Sequence, residues 1–453
     1  MRTHRALLIA LVPAVILRLL AVVGYPPALY FWADSFAFLR EELAPGTTRP
    51  SGYSLLLALL RPAHSLTLVT VLQHLAVVGL AVAIYAFLRK RGLPGWGATL
   101  LVTPILFDEF MILLEHMIMA DAVFIVLITA AVLLLIWRST PVTSGVAGLL
   151  LGLAGIFRTV GLPLLVLAAA YVLLKRYGWR SLTALLVAGA VPLGAYAVWA
   201  KAEKGTYALT QADGNFLWSR TMSFADCEVI RPPAELAVLC PNMPVEQRPY
   251  PPHWLWEDFS PLLKIPGVAH RNELAGQFAR KAILAQPFDY LQAVSVDFKQ
   301  FFRWERTASD EGSPYKLPSV ERPLKDFAKD TADSYESASA STRINEPFAG
   351  WLRAYQRFGY LPFPLFTLGL LVTLGFAAWR RDLDALFPGL TALALLVSPP
   401  FLAAFDLRYV IPAIPLACLA AGLTMLRGES RPHSMEEPRG PRHSRRHAQA
   451  GNP

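Results

Sequence analysis

The feature that most constrains this chain is a series of long apolar runs with Arg or Lys at alternate connections. The first run, LLIALVPAVILRLLAVVG, extends from Leu7 to Gly24. A bilayer core takes about 20 apolar residues as a helix. Ten segments read as spans: 6–23, 66–88, 94–107, 118–137, 142–157, 160–174, 181–200, 359–379, 386–404 and 409–426. Several are short, so tilt or an adjoining re-entrant piece must supply length. The chain is 54% hydrophobic and 17% charged, a balance that would leave a soluble protein with large exposed apolar patches. The run Ser51–Leu60 is apolar but stops at Arg61-Pro62, and reads as a surface or re-entrant helix.

Cytoplasmic connections carry the excess of Arg and Lys. Here the basic connections hold Arg2 and Arg5; Arg89, Lys90 and Arg91; Arg138; Lys175, Arg176 and Arg180; Arg380 and Arg381; and Arg427 with the tail. Every other connection is basic, so the formal charge of +9 reads as topology and not as nucleic-acid binding. Both termini are then cytoplasmic in a plasma-membrane protein. The first run is long, holds Arg18 and lacks a convincing cleavage site, so it reads as a retained span. The tail lacks apolar content and reads as disordered.

The expected architecture is an all-α polytopic membrane protein with about ten transmembrane helices. It has four parts: an N-terminal membrane module 1–200 with catalytic outer loops, an extracytoplasmic segment 201–358, C-terminal helices 359–426, and a basic cytoplasmic tail 427–453. The outer connections are 24–65, 108–117, 157–160, 201–358 and FDLRYV near 405–410. The second half of 201–358 reads helical from its three and four spacings, and 308–345 reads as a loose connection. Cys227 and Cys240 both fall outside the cytoplasm. A disulfide between them would stabilise by about 3 kcal/mol; two free thiols are the other reading. Cys418, in the last span, reads as packing.

In FWADSFAFLREEL, Trp32, Phe36, Leu39 and Leu43 fall at helical spacing, with Arg40, Glu41 and Glu42 off that stripe. The pattern predicts a helix lying flat in the interface with Asp34 at its start. Asp34 is then a helix cap or a functional acid at the membrane surface. A second cluster, FDEFMILLEHMIMADAVF, brings Asp108, Glu109, Glu115, His116 and Asp121 to an outer junction. A hydrated helix start and a functional site both fit charges at that depth. Arg158 and Arg408 lie on the outer side against the charge bias. Snorkelling and a local Asp406–Arg408 pair are one reading; a guanidinium fork for phosphate is the other.

Several stretches together resemble the GT-C superfamily of polytopic glycosyltransferases, in the branch similar to protein O-mannosyltransferases and lipid A aminoarabinose transferases. They are ADSFAFL, RPSGYSLLLALL, LLEHMIMADAVF, GLLLGLAGIFRTVGLPLL and LRYVIPAIPL. The likeness covers roughly the first 175 residues and the end near 400–420. It implies an inverting transfer of a hexosyl or pentosyl group from a polyprenyl-phosphate donor in the membrane lipid to an extracytoplasmic glycan, lipid or protein. It implies Asp34 as general base, with Glu115 and Asp121 orienting acceptor or sugar or holding a divalent ion. It further implies Arg158, Arg408 and Arg49 at the donor phosphate, and His116, Tyr53 and Trp304 at the acceptor or sugar. No clear Asp-x-Asp metal motif is read and no cofactor is certain; a divalent metal is the open possibility, with Asp108, Glu109, Glu115 and His116 as the candidate metal set. The chain departs from the pattern at Ser51 and Ser54, and Asp34-Ser35 replaces an Asp-Glu pair.

Two other classes compete. A transporter or lipid flippase should hold acids in mid-span. A non-catalytic scaffold should tolerate replacement of Asp34, Glu115 and Asp121. Trp254, Trp256 and Trp304 suit stacking on sugar rings and anchoring at an interface equally.

Overall fold

The computed structural model describes residues 4–40, 43–306, 313–321, 326–337, 339 and 341–426. Arg2, Glu41, Glu42, Arg427 with the tail 427–453, and parts of the 308–345 connection lie outside the described residues. Among the described residues the chain is helical throughout, with one isolated bridge between Leu29 and Met117.

Each expected span falls on an apolar helix. Five are long and apolar enough to cross a membrane alone: α1 (Arg5–Gly24), α4 (Leu66–Lys90), α10 (Trp179–Lys204), Leu383–Leu402 and Leu407–Met425. Between α1 and α4 lie the short α2 (Trp32–Leu39) and α3 (Gly52–Leu60). A bent pair, α5 (Gly95–Phe107) and α6 (Glu109–His116), broken by 51°, meets the same length and apolarity only when taken together, as a broken span or a re-entrant loop does. α7 (Asp121–Trp137), α8 (Pro141–Phe157), α9 (Leu162–Leu174) and Phe363–Trp379 are apolar but shorter. Apolar side chains such as Leu8, Ile9, Val12, Val187 and Val191 face outward, as contact with lipid requires. The chain is a multi-pass membrane protein.

The basic connections share one end of the bundle. Arg91 and Lys175 both reach Asp384, at 3.8 and 2.7 Å, and Arg91 also donates to the Ile136 carbonyl at 2.8 Å. The loops after α4, α7 and α9 therefore meet beside the start of Leu383–Leu402. α8 and α10 pack backbone to backbone: a Cβ built on Gly148 or Gly152 would lie 2.0 or 2.2 Å from a carbonyl oxygen of α10. Small residues four apart permit that approach.

Three expectations change. The outer connection 108–117 is largely the helix α6, because Asp108 accepts from the amides of Phe110 and Met111 and starts a second helix, all of whose residues are buried. α2 is not an interfacial helix. Phe36, Phe38 and Leu39 are buried, and the helix Asp326–Tyr335 packs over α2. That returning helix also replaces part of the loose connection, with Ala328, Ala332 and Tyr335 buried in the bundle core.

The segment 201–358 divides near residue 300. Its first part has its own core, built on Trp218, Trp254, Leu262, Leu274 and Phe278. Its second part joins the bundle core through Phe301, Leu317, Tyr335 and Leu352. Cys227 and Cys240 are joined by a disulfide in the first part, with Cα atoms 6.1 Å apart. Replacing both by Ser is expected to destabilise this unit by about 3 kcal/mol. Thermal unfolding of the purified variant checks it; an unchanged transition would contradict it. Cys418 is a partly buried thiol that packs against the bundle core.

Candidate active site

Asp34 lies in the first turn of α2, which makes no side-chain capping hydrogen bond. One carboxylate oxygen instead accepts from Arg49, and the other from Arg408 Nη1 at 2.9 Å. Arg408 also lies 3.7 Å from Asp406, so the local pair and the longer-range contact coexist. Asp406 caps the turn through the Arg408 amide at 3.1 Å and accepts from the Tyr315 hydroxyl. Arg158, directly after α8, pairs with Asp121 at the start of α7.

Tyr409 joins the two pairs. Its ring centre is 5.1 Å from the Arg158 guanidinium and 5.2 Å from that of Arg408. The result is a continuous line: Arg49, Asp34, Arg408, Tyr409, Arg158, Asp121. It gathers residues from all five stretches that carry the family resemblance. α7 begins here, α8 ends here and the last long helix begins here, so the line sits at the end of the bundle opposite Asp384. Burial alone would raise the Asp34 carboxyl, but Arg408 and Arg49 together outweigh it and hold it below the usual Asp range. Burial and the nearby Asp406 push the Tyr315 hydroxyl well up.

The first loop is fitted tightly to this end. A Cβ on Gly52 would lie 2.5 Å from the Ile156 carbonyl, so only glycine lets α3 rest on the end of α8 just before Arg158. Tyr53 follows into the interior. It is fully buried, donates to Gln73 Oε1 at 2.8 Å, and meets Phe38 and Phe157 edge-on.

Glu115 and His116 belong to a different cluster. Glu115 is fully buried and takes Arg18 Nε and Nη2 at 2.8 and 2.7 Å, with His74 Nδ1 at 2.6 Å. His116 contacts His74 at 3.2 Å and the Tyr25 carbonyl at 2.9 Å. Gln73 donates to the carbonyls of Glu115 and Met117, at 2.8 and 2.9 Å. Leu29 pairs its backbone with His116 and Ile118 at 3.0 and 3.1 Å. This knot ties the strand-like stretch before Asp34 to the turn before Asp121.

Asp108 pairs with the buried Arg306 at 2.9 Å, and Glu109 accepts from Gln356 at 2.7 Å. The four metal candidates thus fall in separate places, Asp108 with Arg306, Glu109 with Gln356, and Glu115 and His116 together at His74. Among the described residues, no three His, Cys, Asp or Glu side chains converge as a metal site.

The three tryptophans part company. Trp254 is a core residue of the outer unit, while Trp304 is 59% exposed. Trp256 is 52% exposed, with its ring centre 5.7 Å from the Arg49 guanidinium. Sequence reasoning missed Tyr409 as a bridge and Arg18 as the partner of Glu115. The second had a signal: a charge inside an apolar span needs a partner.

No protein-family model matches the chain, and no curated protein matches it. Solved structures of the Archaeoglobus fulgidus oligosaccharyltransferase do. Its apo form is 13% identical at a TM-score of 0.41, over 93% of this chain and 50% of that one. The same organism's oligosaccharyltransferase AglB, in complex with an inhibitory peptide and a dolichol-phosphate, is 12% identical at 0.40, over 93% and 50%. A third structure, tethered to an acceptor peptide containing the NVT sequon, is 11% identical at 0.39, over 92% and 49%. The chain spans about half the length of these structures.

Proposed function

We propose that this protein is an integral-membrane glycosyltransferase of GT-C type. It moves a sugar from a polyprenyl-phosphate donor to an acceptor hydroxyl outside the cytoplasm, with both of its own termini cytoplasmic. The observation that carries this reading is Asp34 held between Arg49 and Arg408, with Arg158 and Asp121 across the Tyr409 ring.

The chemistry follows from that line. A donor phosphate competes with carboxylates for Arg408 and Arg158, since a guanidinium presents the same fork to both. As Arg408 turns to phosphate, one oxygen of Asp34 is released. That oxygen takes the proton of the acceptor hydroxyl while the hydroxyl oxygen bonds to the anomeric carbon. The bond from that carbon to the lipid phosphate breaks, and the phosphate leaves with the electron pair and an added negative charge. Arg408 and Arg158 stabilise that charge as it forms. A single displacement inverts the anomeric centre. Asp121 holds Arg158 in place, and Glu115 and His116 hold the backbone that carries both acids.

A transporter draws support from Glu115, which meets Arg18 inside the first span. Yet both carboxylate oxygens of Glu115 are bonded and the side chain has no exposure, which leaves no place for a cargo. The transferase reading is tested with full-length protein in proteoliposomes and a panel of polyprenyl-phosphate sugars. Arg408→Ala and Arg158→Ala are each expected to raise the donor KM by about tenfold or more and to lower kcat, as loss of a charge-assisted contact to phosphate would. Unchanged donor kinetics in both variants would contradict it.

A further inference from the structure

Beside Asp34 lies a feature that the chemistry above does not use. An open cleft of about 150 Å³ lies between the first loop and the 201–300 unit. Thr47 and Thr48 of the first loop line it together with Asn215, Trp256 and Arg271 and with leucine, valine and phenylalanine side chains.

We propose that this cleft seats the acceptor and that the part it holds is a saccharide. The proposal rests on the transferase reading and names the class of its second substrate. Three observations carry it. Trp256 offers a half-exposed indole face, and a sugar ring has an apolar face of C–H bonds to lay on it. The side-chain oxygen of Asn215 is buried with no hydrogen-bond partner, an acceptor that a ligand hydroxyl would satisfy. Arg49 joins cleft and base: its guanidinium lies over Trp256, donates to Thr48 at 3.1 Å and pairs with Asp34. A ligand stacked on Trp256 therefore has Asp34 one side chain away.

The alternatives fit less well. An extended peptide is held by backbone pairing to a strand edge, and among the described residues no strand lies at the cleft. A lipid tail needs a wholly apolar slot, whereas this one contains an amide, a guanidinium and two hydroxyls.

Binding is measured with the full-length protein in nanodiscs, by saturation-transfer NMR and calorimetry. The probes are maltose, mannobiose, cellobiose and arabinobiose, with a Ser/Thr-rich hexapeptide as competitor. At least one disaccharide is expected to bind wild type. Its Kd should rise about tenfold in Trp256→Ala and in Asn215→Ala, and stay within about threefold in Trp256→Phe. The peptide should not displace it. Melting curves of the three variants establish that they fold. No disaccharide binding, equal binding in the two Ala variants, or displacement by the peptide would each overturn the assignment. None of these outcomes bears on the donor kinetics, so the cleft and the transferase reading fail separately.

Discussion

Asp34→Asn is expected to lower kcat for sugar transfer by about two or more orders of magnitude, the scale of a lost general base. The substitution keeps the size of the side chain and one hydrogen-bond acceptor for Arg49 or Arg408. It removes the charge and the basic oxygen. Arg408 is then freer to meet a donor phosphate, so donor KM should hold or fall while kcat collapses. That split separates a base from a residue that only binds. In wild type, Arg408 and Arg49 hold the carboxyl below its ordinary range despite burial. The base is therefore ionised above that lowered value, and kcat/KM should fall only as the pH drops below the usual Asp range. Steady-state kinetics at matched protein levels check both points. Full activity in Asp34→Asn would return this acid to a structural role and leave Asp121 as the candidate base.

Glu115→Ala is expected to have the largest effect on stability. It leaves Arg18 charged and unpaired where its side chain is 5% exposed, and breaking such a pair costs about 3–5 kcal/mol. His74 and Gln73 lose the geometry that the knot imposes on the turn at Met117. The double variant Arg18→Leu with Glu115→Leu removes both charges and should recover much of the loss, since apolar replacement of a buried pair is often neutral. Thermal unfolding of the three proteins in one detergent tests this. A Glu115→Ala protein as stable as wild type would contradict it. A double variant that is stable but has lost kcat would show that the Arg18–Glu115 pair serves the positions of Asp34 and Asp121 as well as stability.

The contrast between these two acids marks how much of the site was legible in the sequence. Asp34, Arg49, Asp121, Arg158 and Arg408 were each named from their stretches, and the fold brings them into one line. Helix ends placed them there: alternation of basic and non-basic connections sorts chain segments to the two ends of the bundle. Glu115 looked like a member of the same set because sequence spacing does not show depth. Asp108 caps a second helix, and that helix carries Glu115 inward to Arg18 and His74. His116 went inward on the same helix, and Tyr53 did so where Gly52 lets α3 rest on the end of α8. Nor could spacing tell that Asp326–Tyr335 covers α2, since the stripe Phe36, Leu39 suits protein and lipid alike. Trp256 and Trp304 were equivalent in the sequence; only the packing of the outer unit over Arg49 distinguishes them.

The most direct test of the central claim is the anomeric configuration of the product. Full-length protein in proteoliposomes is given each polyprenyl-phosphate sugar with the disaccharides, the Ser/Thr-rich hexapeptide and a lipid-linked saccharide as acceptors, and the new linkage is read by NMR. The account predicts transfer from at least one donor, with the anomeric configuration inverted relative to the lipid phosphate. Transfer with retention would contradict a single displacement assisted by Asp34, and no transfer from any donor would contradict the assignment as a glycosyltransferase.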